Sequence, residues 1–509
     1  MTADEASAGS SPPPVLMKLL TALLDEAAEI EHQLMIQYLY AAFSLKKYPD
    51  ATCNDAQFEF VRRWGSTLLM VARQEMEHLA LVNGMLSAIN AKPFFGRQNI
   101  PAQFSYFLGD QLARGRDHGQ GTEPCDIPFI FERFNLETIE RFVCFESPSK
   151  EILEEYEFPV PTWCFTCAGQ RYPRTALADW SLESAAPATG YGLAGTRVHG
   201  DLWSEAQGEL AKAGILESTL ETEELRPGTI QALYDLVRDL FDYLSVRWNI
   251  FTGNPSKQVF VPVEYQINIF PIVDLPSVHA ALKLIVEEGE GIDSPPDYQS
   301  HFKRFFDIRD ELKGLLDEDP GFEPSLPLPE NPRLEDIANP FARELFELFD
   351  YTYGTLLFVL TSLYSNYVPS SSQSYPYLSS ALQETAFGPM MTMLVRPMAE
   401  IMAYTASGHD AETTGPGYRL SEKEREMLRT ADAADLGNIE FFLGRLDEIA
   451  ARLERMTAGT RLAEVARAPG DLPFLERQLR FVYESARAMA NNMRRIYQIG
   501  QLPQFIVAP

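Results

Sequence analysis

A chain of 509 residues, 45% hydrophobic and 23% charged, can bury a large core and is expected to fold as two or three domains. Its formal charge of -29 argues against nucleic acid as a partner, and no stretch is apolar for long enough to span a bilayer, which argues against a membrane. Five cysteines, an odd number in so long a chain, do not resemble a disulfide framework, so reduced thiols are expected.

The opening stretch MTADEASAGSSPPP has neither the basic patch nor the apolar run of a secretory signal, and a disordered tail over 1–14 and a cytoplasmic protein are the expectations. Helical three-four spacing of apolar residues then recurs over 15–46, 56–91, 136–147, 228–250, 276–290 and 300–316. Only short pieces such as KQVFVPVEY read as strand. Between 92 and 135, and between 148 and 226, Gly, Pro and aromatics without a clear period predict long connections. The proline-rich acidic run DEDPGFEPSLPLPENPRLEDIANP (317–340) reads as a linker or a strap across the surface. Further helices follow at about 341–366, 380–404, 421–456 and 473–499. The organisation expected is a mostly α chain with a domain over 15–316, the linker 317–340 and a C-terminal helical domain over 341–509.

Four of the early helices share one anomaly. On the first, the apolar row Leu24, Ala27, Leu34, Tyr38 is interrupted by Glu31; on the second, the row Leu68, Val71, Val82, Met85 contains Glu75 and His78. Leu136, Ile139 and Val143 share a face with Glu146, and Leu282 and Val286 share one with Glu290. His301 follows a helix cap at Ser300. A single inward glutamate usually reaches the rim or pairs with arginine. Four carboxylates and two imidazoles with few inward cations to balance them call instead for two divalent ions, iron first and manganese second. Glu75-x-x-His78 is the most specific element, because side chains three apart on a helix reach one ion.

Several motifs carry less weight. CFTC (164–167) has redox spacing but no second pair, and GYGLAG (190–195) lacks the strand and helix that a dinucleotide site needs. His32 points about a quarter turn from Glu31, and His279 stands too far up its helix to share an ion with Glu290. Tyr38, Tyr40, Phe43, Met70 and Met85 are read as bundle core or as the wall of an apolar pocket.

The phrases EIEHQLMIQYLYAAFSL, ARQEMEHLALVNGMLSAINAKP, LETIERFVCFESP, IVEEGEG and SHFKRF resemble the ferritin-like domain shared by the violacein imine-dimer synthase and chromopyrrolate synthase. The resemblance covers 15 to about 315 and continues in ARELFELFDYTYGTLLFVL and the run from FGPMMTMLVRPMAEIMAY. It implies a ferritin-like four-helix bundle with ligands at Glu31, Glu75, His78, Glu146, Glu290 and His301. Where the family has glutamine before Gly-Glu-Gly, this chain has Glu288, and Glu287 and Glu290 both stay open as the ligand of the fourth ligand helix. The function expected is a non-haem dimetal, specifically diiron, oxidase or oxygenase. Its substrate is expected to be a small biosynthetic intermediate, an imine or amine derived from an aromatic amino acid. Dioxygen would be the co-substrate, with an electron donor and a homo-oligomer left open. No catalytic residue beyond the metal ligands is singled out. A metal-storage protein and a mononuclear metal enzyme are the alternatives.

Overall fold

The computed structural model describes residues 11–104, 127–147, 150–159, scattered residues between 202 and 212, and then 230–255, 258–259, 261, 267–289, 299–366, 382–409, 412–430, 439–459 and 462–501. Glu290, CFTC, GYGLAG and the first ten residues of the tail lie outside the described residues.

Twelve helices are described: α1 (Pro14–Ser44), α2 (Asp55–Ala88), α3 (Leu136–Phe145), α4 (Lys150–Glu155), α5 (Ile230–Arg247), α6 (Leu275–Gly289), α7 (His301–Glu318), α8 (Pro340–Asn366), α9 (Arg396–Ala403), α10 (Glu422–Thr430), α11 (Ile439–Gly459) and α12 (Leu472–Gln501). The chain is mostly α, as the spacing predicts. The described residues of KQVFVPVEY (258, 259 and 261) lie outside any strand. One small antiparallel sheet pairs β1 (Ala102–Phe104) with β2 (Ile127–Phe129), within the first long connection.

Helix α1 is the axis of the molecule. From Leu23 to Ser44 nearly every residue is buried, as expected of a helix surrounded on all sides. Its polar residues therefore need partners inside. Glu29 accepts from the Gln98 backbone N–H at 2.8 Å, Gln37 accepts from that of Ile130 at 3.2 Å, and Tyr40 donates to the Pro329 carbonyl. In this way α1 fixes the loops that cross it. Helix α2 returns antiparallel along α1, with Leu45 at the end of α1 against Gly65 and Glu31 against His78. Its start is set by a reciprocal cap: Asn54 accepts from the Gln57 N–H at 3.0 Å and Gln57 accepts from the Asn54 N–H at 2.9 Å.

Helix α7 packs along α3 and touches α2 and α6, while α5 lies between α1 and α6. Residues 317–340 run across the end of α1, where Leu326 N–H donates to Ser44 at 2.7 Å and Glu323 N–H to Thr52 at 2.9 Å. The later helices pack on this group through α9 against α1 and α8 against α2. His32 reaches the same junction, hydrogen-bonded through Nε2 to the Tyr353 hydroxyl of α8. The Arg396–Glu400 spacing produces its intrahelical pair at 3.1 Å. No helix among the described residues is long and apolar enough to cross a membrane.

Candidate metal centre

Glu31, Glu75, His78, Glu146 and His301 converge in one buried cluster, each at most 2% exposed. The local sequence explains each placement. Glu31 lies mid-helix on α1, and Glu75 and His78 are one turn apart on α2. Glu146 is the residue that ends α3, with φ -92° and ψ 2°, which turns its side chain off the helix end into the interior. His301 opens α7 immediately after Ser300, whose hydroxyl accepts from the Lys303 N–H and starts the helix there.

Two overlapping sets of ligand atoms result. Glu31, Glu75 and His78 form one, and Glu75, Glu146 and His301 the other. His78 Nδ1 lies 3.4 Å from Glu31 Oε2 and 3.2 Å from Glu75 Oε2. On the other side, His301 Nδ1 lies 3.0 Å from Glu75 Oε1 and 3.6 Å from Glu146 Oε2. Glu75 alone belongs to both sets, offering one oxygen to each. The two imidazoles face each other with ring centroids 5.6 Å apart.

The outer carboxylates are held by phenols. Tyr234 of α5 donates to Glu31 Oε1, and Tyr38 of α1 donates to Glu146 Oε1. Tyr38 is itself packed against Phe142 and Phe305. Each phenol occupies one oxygen of its carboxylate and leaves the other turned toward the histidines.

The electrostatics of the cluster are compatible with a bound cation. Burial pushes the Glu31 carboxyl up to about 7, and the neighbouring Glu75 charge adds to the rise. For Glu75 itself, burial and Glu146 act upward, but His301 and His78 outweigh them and hold the carboxyl below its ordinary range. Burial acts to lower both imidazoles. Glu288, Glu31 and Glu75 nevertheless hold His78 well above the usual histidine range, and Glu75 and Glu146 hold His301 up to about 9. Among the described residues no lysine or arginine forms an ion pair with Glu31, Glu75 or Glu146. The two histidines are thus the groups, among those described, whose raised values oppose this negative charge.

Metal ions fit this donor set better than protons do. Glu75 Oε1 and both ring nitrogens of His301 are buried without a hydrogen-bond partner, although Glu75 Oε1 and His301 Nδ1 are only 3.0 Å apart. Buried polar atoms left unsatisfied in this way are costly, and a cation between them satisfies both. Carboxylates and imidazoles in two three-donor sets suit iron or manganese.

The remaining predicted positions fall elsewhere. Glu287 does not join the cluster: its side chain is 55% exposed and sits 3.5 Å from Lys283 Nζ on the outer face of α6. Glu290 lies outside the described residues. Glu288, which the apolar row did not select, is the acid of α6 that points inward, 2% exposed, with Oε2 3.1 Å from His78 Nε2. Tyr234 was also missed, since a tyrosine on an apolar stripe reads as core until its hydroxyl is placed. His279 pairs with Asp242 at 2.7 Å at the surface, away from the cluster.

Glu31, Glu75, His78 and Glu146 also line a small, partly open space with room for about one water-sized molecule. Its apolar wall is Leu34, Ile230, Ile285, Val286 and Gly289, with the Tyr234 ring among them. Tyr38, Tyr40, Phe43, Met70 and Met85 do not line it.

This bundle turns acids and histidines from separate helices onto one interior point, an arrangement compatible with a metal site. The ferritin-like family model matches residues 24–310, more than half of the chain, and the chain belongs to that family. It is similar to the dichlorochromopyrrolate synthase of Lentzea aerocolonigenes, 24% identical over 452 residues that cover 82% of this chain and 37% of the relative. It is also similar to the 2-imino-3-(indol-3-yl)propanoate dimerase of Chromobacterium violaceum, 25% identical over 427 residues that cover 78% of this chain and 33% of the relative. The chain thus spans about a third of the length of the curated relatives it matches. No solved structure matches.

Proposed function

We propose that the chain is a non-haem dimetal oxidase or oxygenase, with two iron ions as its cofactor, acting on a small imine or amine derived from an aromatic amino acid. The observation that carries this reading is the sharing of Glu75 between two buried three-donor sets. In it Glu31 and His78 would hold one ion and Glu146 and His301 the other, with Glu75 available to both. Two such ions, when bound, supply electrons to dioxygen.

The chain's own contribution is position and exclusion of water. Tyr234 and Tyr38 orient the outer carboxylates, and the cluster's burial keeps bulk water from the ions. Leu34, Ile230 and Ile285 give the open side of the cluster an apolar lining, which suits the approach of an aromatic ring. The names of the relatives support the substrate class: one is a synthase of a chlorinated chromopyrrolate, the other a dimerase of an indolyl imine.

The test is anaerobic loading with ferrous iron, followed by oxygen in the presence and absence of an aryl imine generated from its amino acid. The expected result is oxygen uptake that depends on the imine and yields an oxidised organic product. Iron oxidation with no organic product would instead identify a metal-storage protein.

A further inference from the structure

We propose that Glu288 is a positioning residue that makes the two ion positions unequal, so that the position of Glu31, Glu75 and His78 fills first and holds its ion more tightly. The inference rests on the dimetal reading. An imidazole gives one nitrogen to an ion and must keep its proton on the other. For His78 the nitrogen turned toward Glu31 and Glu75 is Nδ1, at 3.4 and 3.2 Å from their oxygens. The proton then belongs on Nε2, and Glu288 Oε2 stands 3.1 Å from that atom to accept it. A carboxylate in this place fixes the tautomer and the ring plane and makes the imidazole a stronger donor.

His301 has no such support. Its Nδ1 faces Glu75 and Glu146, and its Nε2, in a wholly buried side chain, has no hydrogen-bond partner among the described residues. The other features of the two positions match. Each has one outer glutamate, each of those glutamates accepts from one tyrosine, and both positions share Glu75. What distinguishes them is the acid behind one histidine.

Charge points the same way. Glu288 adds a buried carboxylate on the His78 side of the cluster, so it acts both as the acceptor that orients that ring and as a charge that draws a cation to that position. It is placed by the last turn of α6, where Ile285 and Gly289 line the small open space on either side of it along the chain.

Anaerobic titration with manganese(II), followed by equilibrium dialysis and electron paramagnetic resonance, separates the two positions. The wild type is expected to bind two ions with affinities about 10- to 100-fold apart. Its first equivalent gives the spectrum of an isolated ion, and the second converts this to that of a coupled pair. E288A is expected to weaken the tight position by about 10- to 100-fold, so that both ions enter together. E288Q, which keeps a hydrogen-bond acceptor of the same size but removes the charge, is expected to fall between them. Two ions of equal affinity in the wild type, or an E288A titration identical to the wild type, would overturn the inference and leave the dimetal reading standing. A wild type that binds no ion would overturn both.

Discussion

Glu75→Gln is expected to leave a folded helical protein that binds at most one divalent ion, at least about 100-fold more weakly than the wild type, and that consumes no oxygen with substrate. The size of the effect follows from the shared position of this residue. Its Oε2 faces His78 and its Oε1 faces His301, so one substitution removes an anionic donor from both sets. An amide of the same shape offers a single neutral oxygen and no bridge. The loss is also readable without turnover: an ion present at 100 times its dissociation constant stabilises the folded state by about 2.7 kcal/mol. Manganese or ferrous iron should therefore raise the melting temperature of the wild type and leave Glu75→Gln unmoved. Glu287→Gln is the matched control. That side chain is exposed beside Lys283, so the variant should bind both ions as the wild type does.

A second large effect is expected in the pH dependence of the metal-free protein. The folded-state values of Glu31, up to about 7, and of His301, up to about 9, both lie above the ordinary values of 4.5 and 6.5. A group raised on folding binds its proton more tightly in the folded state. Its stabilising contribution is complete below the unfolded value and is lost as pH rises through the folded one. The metal-free protein should thus lose stability from about pH 4.5, through Glu31, up to about pH 9, through His301. At 1.36 kcal/mol per unit, the His301 shift alone corresponds to about 3 kcal/mol. Glu75 is the partner in the same ion pair, so its depressed carboxyl is not a separate gain, and its own titration falls on the acid side of this window. Metal binding runs the other way, because the ions compete with those protons and gain as they leave. Denaturant unfolding across pH 6 to 9.5, with and without manganese, should show a gap between the two forms that widens with pH. A metal-free protein whose stability rises over that range would contradict the electrostatic picture of the cluster.

Much of this arrangement is legible in the sequence, because a buried stripe shows where a charged residue has no business being. The rows through Glu31, through Glu75 and His78, and through Glu146 identify side chains that the fold does bring together. Ser300 marks the start of α7 and so fixes His301. One inward acid is not legible at the end of α6. The row through Leu282 and Val286 passes over Glu288, whereas the buried residues described there are Val278, Ala281, Leu282, Ile285, Glu288 and Gly289; Glu290 lies outside the described residues. In a run as short and as apolar as VHAALKLIV, two adjacent rows are almost equally greasy. Periodicity cannot choose between them, and the neighbouring helices do. Tyr234 and the junction of His32 with Tyr353 escape for a different reason. Each is a contact between residues about 200 or more apart along the chain, and no local pattern encodes where a hydroxyl will land.

Two divalent ions sharing Glu75 are the centre of the proposed chemistry. The most direct measurement is anomalous diffraction at the iron edge from crystals of protein loaded anaerobically with ferrous iron. It should show two peaks, one among Glu31, Glu75 and His78 and the other among Glu75, Glu146 and His301. Density for the same side chains with no anomalous peak between them, the carboxylates still paired to protonated histidines, would contradict it.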